Sequence, residues 1–177
     1  KDAVWDGKFY FHNSFTKLNK TNPFSTGFTL SYNTRNNSIY SKVIRLGEGF
    51  ESDLGFIRRK GIFKNYFRYE RRFWLKNKQI RSINIISSLA YTDKPENESL
   101  ITDRNYRLGL QFDFNSMANI EVSYRKDYTH LEDSFNPLSS FGSNPLPGNS
   151  TYNYSYLEFE YRNDQRKKIS YRFEFNN

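Results

Sequence analysis

Residues Tyr106–Phe114, with the sequence YRLGLQFDF, alternate between large apolar side chains and polar or small ones. One set is apolar: Tyr106, Leu108, Leu110, Phe112 and Phe114. The other set is Asn105, Arg107, Gly109, Gln111 and Asp113. Because successive side chains of a strand point to opposite faces of its sheet, this period of two predicts an amphipathic β-strand.

The same alternation continues through most of the chain, for example across 118–128 and near the C-terminal end. It predicts strands near 8–18, 24–34, 37–46, 61–75, 79–92, 103–115, 118–129, 151–163 and 167–176. No helical periodicity competes with it, so we expect an all-β, antiparallel fold. Several of these strands are longer than the usual strand of about five or six residues, and they suit a tilted membrane crossing of about 9–11 residues.

The composition also favours strands with one apolar face. Hydrophobic residues make up 36% of the 177 residues, but aromatic residues reach 19%, with 17 Phe and 14 Tyr. The mean hydropathy of −0.87 alone would suit a solvated chain. Rings gathered on one face of each strand reconcile the two facts. The length suits one domain over 1–177, and no apolar run of about 18 residues predicts a transmembrane helix.

The predicted links alternate in length along the chain. Tight links fall near 35–36, 76–78, 115–117 and 164–166. Long ones fall at 47–60, 93–102 and 130–150. In an up-and-down meander this places short turns at one end and long loops at the other, as in outer-membrane barrels. We therefore expect part of a transmembrane outer-membrane β-barrel, with the long loops outward and the turns toward the periplasm. About nine strands is an odd number, which predicts that the chain is part of a larger barrel.

The alternation assigns side chains to two environments. The predicted lumen-facing charged residues are Lys64, Arg68, Glu70, Arg72, Arg107, Asp113, Glu121, Arg125, Glu158, Glu160, Arg162, Arg172 and Glu174. The predicted lipid-facing residues are Phe67, Tyr69, Phe73, Leu108, Leu110, Phe112, Ile120, Val122, Tyr124, Leu157, Phe159, Ile169, Tyr171 and Phe173. The charged residues could line a permeation path or a ligand groove, or pair with each other across strands, and we expect pairing.

Two constellations resemble sites of chemistry. Glu158 and Glu160 share a strand face at a spacing compatible with the about 5–9.5 Å between glycosidase carboxyls. The neighbouring arginines are plausible ion-pair partners, so we expect no catalytic residue. His130 lies near Glu132 and Asp133, but no second histidine stands at ligand spacing. We expect no metal site and no cofactor.

Aromatic and basic side chains interleave in the fourth predicted strand. The rings are Tyr66, Phe67, Tyr69, Phe73 and Trp74, and the cations are Lys64, Arg68, Arg71 and Arg72. This pattern could form a nucleic-acid stacking platform. It also fits an aromatic girdle at a membrane interface, with basic residues reaching headgroups, and we expect the girdle.

Two segments carry a resemblance to a known family. The stretch 40–59, YSKVIRLGEGFESDLGFIRR, contains the pattern Phe-x-x-Asp-Leu-Gly-Phe-x-x-Arg at Phe50, Asp53, Leu54, Gly55, Phe56 and Arg59. The tail 154–177 has a strand, a short Asp-x-Arg-Lys turn and a return strand. Both resemble a family of large Gram-negative outer-membrane β-barrels of unknown function. That family typically follows an N-terminal carbohydrate-binding module similar to family nine. The resemblance implies an internal portion of a longer protein, and it supplies no catalytic residues.

We therefore expect a transport or structural role in the bacterial outer membrane. The expected partners are outer-membrane lipid and lipopolysaccharide, with other outer-membrane proteins and glycans as further candidates and nucleic acid disfavoured. The net charge of +8 keeps one rival open, a soluble β-rich binding module for an anionic glycan or nucleic acid. A second rival is a hydrolase with its catalytic residues on the loops at 47–60 and 130–150, which include Asp53 and Asp133.

Overall fold

The computed structural model describes residues 4–15, 21–52, 59–95, 100–136 and 144–177. Its described residues contain no helix and form one antiparallel sheet of nine strands in sequence order. The strands are β1 (Val4–Asn13), β2 (Phe24–Asn33), β3 (Asn37–Leu46), β4 (Ile62–Trp74), β5 (Ile80–Lys94), β6 (Leu100–Phe114), β7 (Asn119–Leu131), β8 (Ser150–Arg162) and β9 (Arg172–Asn176). The predicted all-β antiparallel meander is thus confirmed. The sheet is open, since β1 and β9 are its two edges.

Each strand pairs with the next one along the chain, and the register keeps the two kinds of side chain on separate faces. Leu110 of β6 lies opposite Ile85 of β5 on one side and Val122 of β7 on the other. Val122 in turn lies opposite Phe159 of β8. We call this side of the sheet the apolar face and the opposite side the polar face.

Side-chain burial is the reverse of that in a soluble domain. Among the described residues, Ile62 and Ile86 are the buried hydrophobic side chains, while Ser82, Asn84 and Ser123 are each only 1% exposed. The polar face is therefore the closely packed one. Leu108, at 59% exposed, is typical of the apolar face, which no other part of the described chain covers.

The links differ in part from the predicted alternation. The link at 34–36 is tight, and so is 115–118, closed by the backbone hydrogen bond from the Phe114 N–H to the Ala118 carbonyl at 3.0 Å. The links at 47–61 and 132–149 are long. The predicted long loop at 93–102 is wrong in length, because β5 and β6 continue their pairing and leave only 95–99 between them.

The two ends of the sheet also differ from the prediction. The first strand begins at Val4 rather than near residue 8 and ends at Asn13, and residues 16–18 of the predicted strand lie outside the described residues. After Asn13 the Ser14 hydroxyl accepts a hydrogen bond from the Glu51 backbone N–H at 3.1 Å. The first link, 14–23, therefore turns toward the 47–61 link that follows β3. These two links lie at the same end of the sheet.

The last strand is shorter than predicted, because it begins at Arg172 instead of near 167. The Asn163 side chain donates to the Ile169 carbonyl at 3.0 Å and accepts from the Tyr171 N–H at 2.8 Å. These hydrogen bonds take the place of strand pairing in residues 167–171, which precede β9. Ile169 was therefore wrongly placed on a strand. It lies in the 163–171 link, 76% exposed, and Tyr171 directly precedes β9.

Candidate functional site

The polar face carries a chain of ion pairs at its centre, across β6, β7 and β8. Glu158 accepts a hydrogen bond from the Ser123 hydroxyl at 3.0 Å and lies 2.7 Å from an Arg125 guanidinium nitrogen. The Arg107 guanidinium contacts Glu121 at 2.5 Å and lies 3.8 Å from Glu158. Because these partners come from three adjacent strands, the pairs tie the strands together on the packed side of the sheet.

A second cluster lies toward the short links and is built around one carboxylate. Asp113 accepts hydrogen bonds from Ser82 at 2.9 Å, Asn84 at 2.8 Å and Gln111 at 2.7 Å. The Asn84 side-chain oxygen accepts in turn from Arg72 at 3.2 Å. Asp113 is 8% exposed, so its charge is held by neutral donors instead of water.

Further ion pairs extend this pattern to the flanking strands. Glu70 of β4 accepts from Arg72 at 2.8 Å and from Arg68 at 3.3 Å. On β8, Glu160 contacts Arg162, and it lies 2.9 Å from Arg172 of β9. Glu174 lies 3.0 Å from Arg172 as well.

The structure thus brings twelve of the thirteen predicted charged residues into bonded clusters on one face: Arg68, Glu70, Arg72, Arg107, Asp113, Glu121, Arg125, Glu158, Glu160, Arg162, Arg172 and Glu174. The thirteenth, Lys64, has no carboxylate within salt-bridge distance among the residues that the structure describes.

These contacts bear on the alternatives in which the chain is an enzyme or holds a metal ion. Glu158 and Glu160 do share a face, but each carboxylate is engaged by arginine and has little room to act as a proton donor. His130, Glu132 and Asp133 all line one cleft. Within the described ranges, however, no group of three His, Cys, Asp or Glu side chains is placed to hold a metal ion. Asp53 lies outside the described residues.

A cleft of about 780 Å³ opens where the polar face meets the long links. The first residues of β4, the last residues of β5 and β7, and the start of β6 form its walls, together with 132–135. Three of its cations are paired: Arg59 with Asp103 at 2.5 Å, Lys94 with Glu132 at 2.5 Å and Lys60 with Glu51 at 3.8 Å. The sequence placed Arg59 in the loop motif and Glu132 beside His130, but it predicted neither of the pairs Arg59–Asp103 and Lys94–Glu132. Each pair joins residues far apart in sequence, and only the strand order brings them together.

The apolar face presents a band of large side chains. Of the fourteen residues predicted on this face, eleven are among the exposed large hydrophobic side chains: Phe67, Phe73, Leu108, Leu110, Val122, Tyr124, Leu157, Phe159, Ile169, Tyr171 and Phe173. Tyr69, Phe112 and Ile120 are half-buried by their neighbours. On β6 the band from Tyr106 to Phe114 covers about 27 Å of strand, or about 21 Å of depth at a tilt of about 40°.

Cations and hydroxyl-bearing rings border this band at both ends. Toward the long links, the Arg104 guanidinium lies 5.8 Å from the centre of the Tyr128 ring. Toward the short links, the Arg71 guanidinium and the Tyr69 hydroxyl both donate to the Asn37 side-chain oxygen, at 2.8 and 3.0 Å. An apolar zone between two such borders has the order found in aromatic girdles.

One strong charge pair lies outside the strands, in the 163–171 link. The Arg166 side chain and backbone N–H donate to the Asp164 carboxylate at 3.0 Å and lower the pKa of that carboxyl to about 2. The same contact raises the pKa of Arg166. These bonds close a local turn within the 163–171 link, which is longer than the tight link predicted at 164–166.

Comparisons with known proteins add no family, relative or structural neighbour to this description. The chain matches no protein-family model, no curated protein and no solved structure. The described residues contain no helix that is long and apolar enough to cross a membrane.

Proposed function

We propose that the chain is a membrane-spanning section of a Gram-negative outer-membrane β-barrel, of the family that it resembles. Its role is transport, or a place in a larger outer-membrane assembly. Glycan handling is part of this proposal only because barrels of the family that the chain resembles follow a carbohydrate-binding module. No catalytic step is assigned to this chain.

The observation that carries the proposal is the reversed burial of the two faces. Leucine, phenylalanine and tyrosine side chains cover the unprotected side, whereas glutamate, aspartate, serine and asparagine fill the packed side. In water, an apolar face of nine strands would be strongly unfavourable, and such large patches mark contact with protein or lipid. In a bilayer the same face lies against hydrocarbon, and the polar face looks inward.

The experiment is to place a tryptophan on each face of one strand in the refolded full-length chain. Val122→Trp and Glu121→Trp are neighbours on β7 that point to opposite sides of the sheet. Lipids brominated in mid-chain should quench the first much more than the second. Each variant is compared with the parent protein, which has two tryptophans of its own. Equal quenching of both, or recovery of a monomer that stays soluble without detergent, would reject the proposal.

The soluble binding module for an anionic polymer keeps one specific point in its favour, the net charge of +8. If it were correct, binding to nucleic acid or sulfated glycan would fall steeply with salt, because each neutralised charge releases a counterion. The pairing of most polar-face cations with carboxylates leaves few of them for such a polymer.

A further inference from the structure

The cations of the polar face fall into two groups. The arginines of β4 to β9 are bonded to carboxylates on the same or the adjacent strand. Lys42 of β3 and Lys64 of β4 have no such partner among the residues that the structure describes. Lys8 of β1 lies in the same row of this face, since Lys8 and Lys42 are both opposite Thr29, and it has no such partner among the described residues either. The unpaired positive charge of this face therefore lies on β1, β3 and β4, and Lys64 is the member of this group that lies toward the long links.

The register places these two lysines close together. Lys42 lies directly opposite Tyr66, and Lys64 precedes Tyr66 by two residues on the same face of β4. Diagonal neighbours of this kind have Cβ atoms about 7–8 Å apart, within reach of two long side chains. Lys42 is half-buried and Lys64 is exposed, so both ammonium groups can meet a solute.

The surroundings of Lys64 leave its charge available. It lines the 780 Å³ cleft, in which Arg59 and Lys94 are already held by Asp103 and Glu132. Thr92 lies opposite Lys64 on β5 and lines the same cleft. A cleft of this size is typical of sites for small molecules.

We propose that Lys42 and Lys64 form a binding site for small anions that carry phosphate or carboxylate groups, at the loop end of the polar face. Two compact ammonium groups on diagonally neighbouring residues can contact two oxygens of one multiply charged anion. The proposal rests on the proposed function for its location, since only a barrel makes this face a solute path. Under that function, the site gives the lumen a preference for anions near its outer mouth.

The test uses the full chain refolded in an uncharged detergent, with inorganic pyrophosphate as the probe. Binding is measured calorimetrically at constant ionic strength for the parent protein and for Lys42→Gln, Lys64→Gln and Lys78→Gln. Lys78 is the matched control, because it is an exposed lysine in the link at the opposite end of the sheet. Loss of one charged hydrogen bond should weaken binding about tenfold for each of the first two variants. The control variant should bind like the parent protein.

Equal weakening in all three variants would overturn the site, because it would show that only the net charge matters. Unchanged binding in Lys42→Gln and Lys64→Gln, or no binding by the parent protein, would overturn it too. Each preparation is also checked for heat-modifiable migration on a gel. A preparation that shows this migration but does not bind pyrophosphate overturns the anion site alone, whereas equal quenching of Val122→Trp and Glu121→Trp by lipid brominated in mid-chain overturns the proposed function.

Discussion

Substitution of Leu110 by arginine measures whether the apolar face meets hydrocarbon. Leu110 stands in the middle of the band on β6, between Ile85 and Val122. Tyr106 lies four residues away on the same face of the same strand, and the two side chains have similar exposure, 39% and 44%. Four residues cover about 14 Å of strand, or about 10 Å of depth at the tilt of a barrel strand. Tyr106→Arg is therefore the matched control near the edge of the band.

The expected difference follows from depth. An arginine at the midplane of a bilayer costs about 2–4 kcal/mol in folding free energy, and one near the interface costs about 0–1 kcal/mol. In water the two positions are equally half-exposed, and substitutions at such surfaces usually change stability by less than about 0.5 kcal/mol away from special features. A barrel thus predicts a gap of about 2–3 kcal/mol between the variants, and a soluble sheet predicts almost none.

The measurement is reversible unfolding in denaturant, starting from lipid vesicles and followed by the intrinsic tryptophan fluorescence. The slope of free energy against denaturant must match between variants, so that the midpoints can be converted into stability. If Leu110→Arg and Tyr106→Arg unfold within about 0.5 kcal/mol of each other, the reasoning from the reversed burial is refuted.

Three further outcomes follow from the polar face and the links. Glu158→Gln should cost about 2–3 kcal/mol in unfolding experiments, because it leaves the Arg125 guanidinium of the packed face without its carboxylate, whereas Glu174→Gln, on a 41% exposed side chain, should cost less than about 1 kcal/mol. Asp164 should titrate near pH 2 by NMR, and Arg166→Gln should return its midpoint toward the ordinary value. Because the folded pKa is lowered, the stabilisation is complete above the unfolded pKa of about 4 and is lost as pH falls through 2. Gly47→Ala should destabilise the chain by about 1–3 kcal/mol in the same unfolding assay, because its Cβ would collide with a backbone carbonyl of the first link.

The period of two predicted much of this structure because it is a purely local signal. Leu108 and Arg107 had to lie on opposite faces once the segment was extended, whatever its neighbours were. The turn residues at 35–36 and 115–117 likewise predicted where the chain reverses. Strand ends were harder to predict, because pairing with the adjacent strand decides where a strand stops. That is why β5 and β6 extend farther than their sequence pattern suggests.

The parts of the site that the sequence did not predict depend on long-range register or on one side chain. Lys42 becomes a neighbour of Lys64 only because Lys42 lies opposite Tyr66 in the β3–β4 pairing. Ile169 continues the apolar alternation, but the Asn163 amide captures the backbone that a strand there would need. Neither effect produces a periodic pattern in the sequence from which it could be predicted.

The two edges of the sheet constrain how such a section can be completed. β1 and β9 run in the same direction, because every strand is antiparallel to the next and eight pairings separate them. Joined to each other they would form a parallel pair. Under the proposed function the backbone groups of both edges need partners, since lipid offers none. An all-antiparallel closure therefore requires an odd number of additional strands between β9 and β1, and any segment or subunit that completes the barrel has to supply that number.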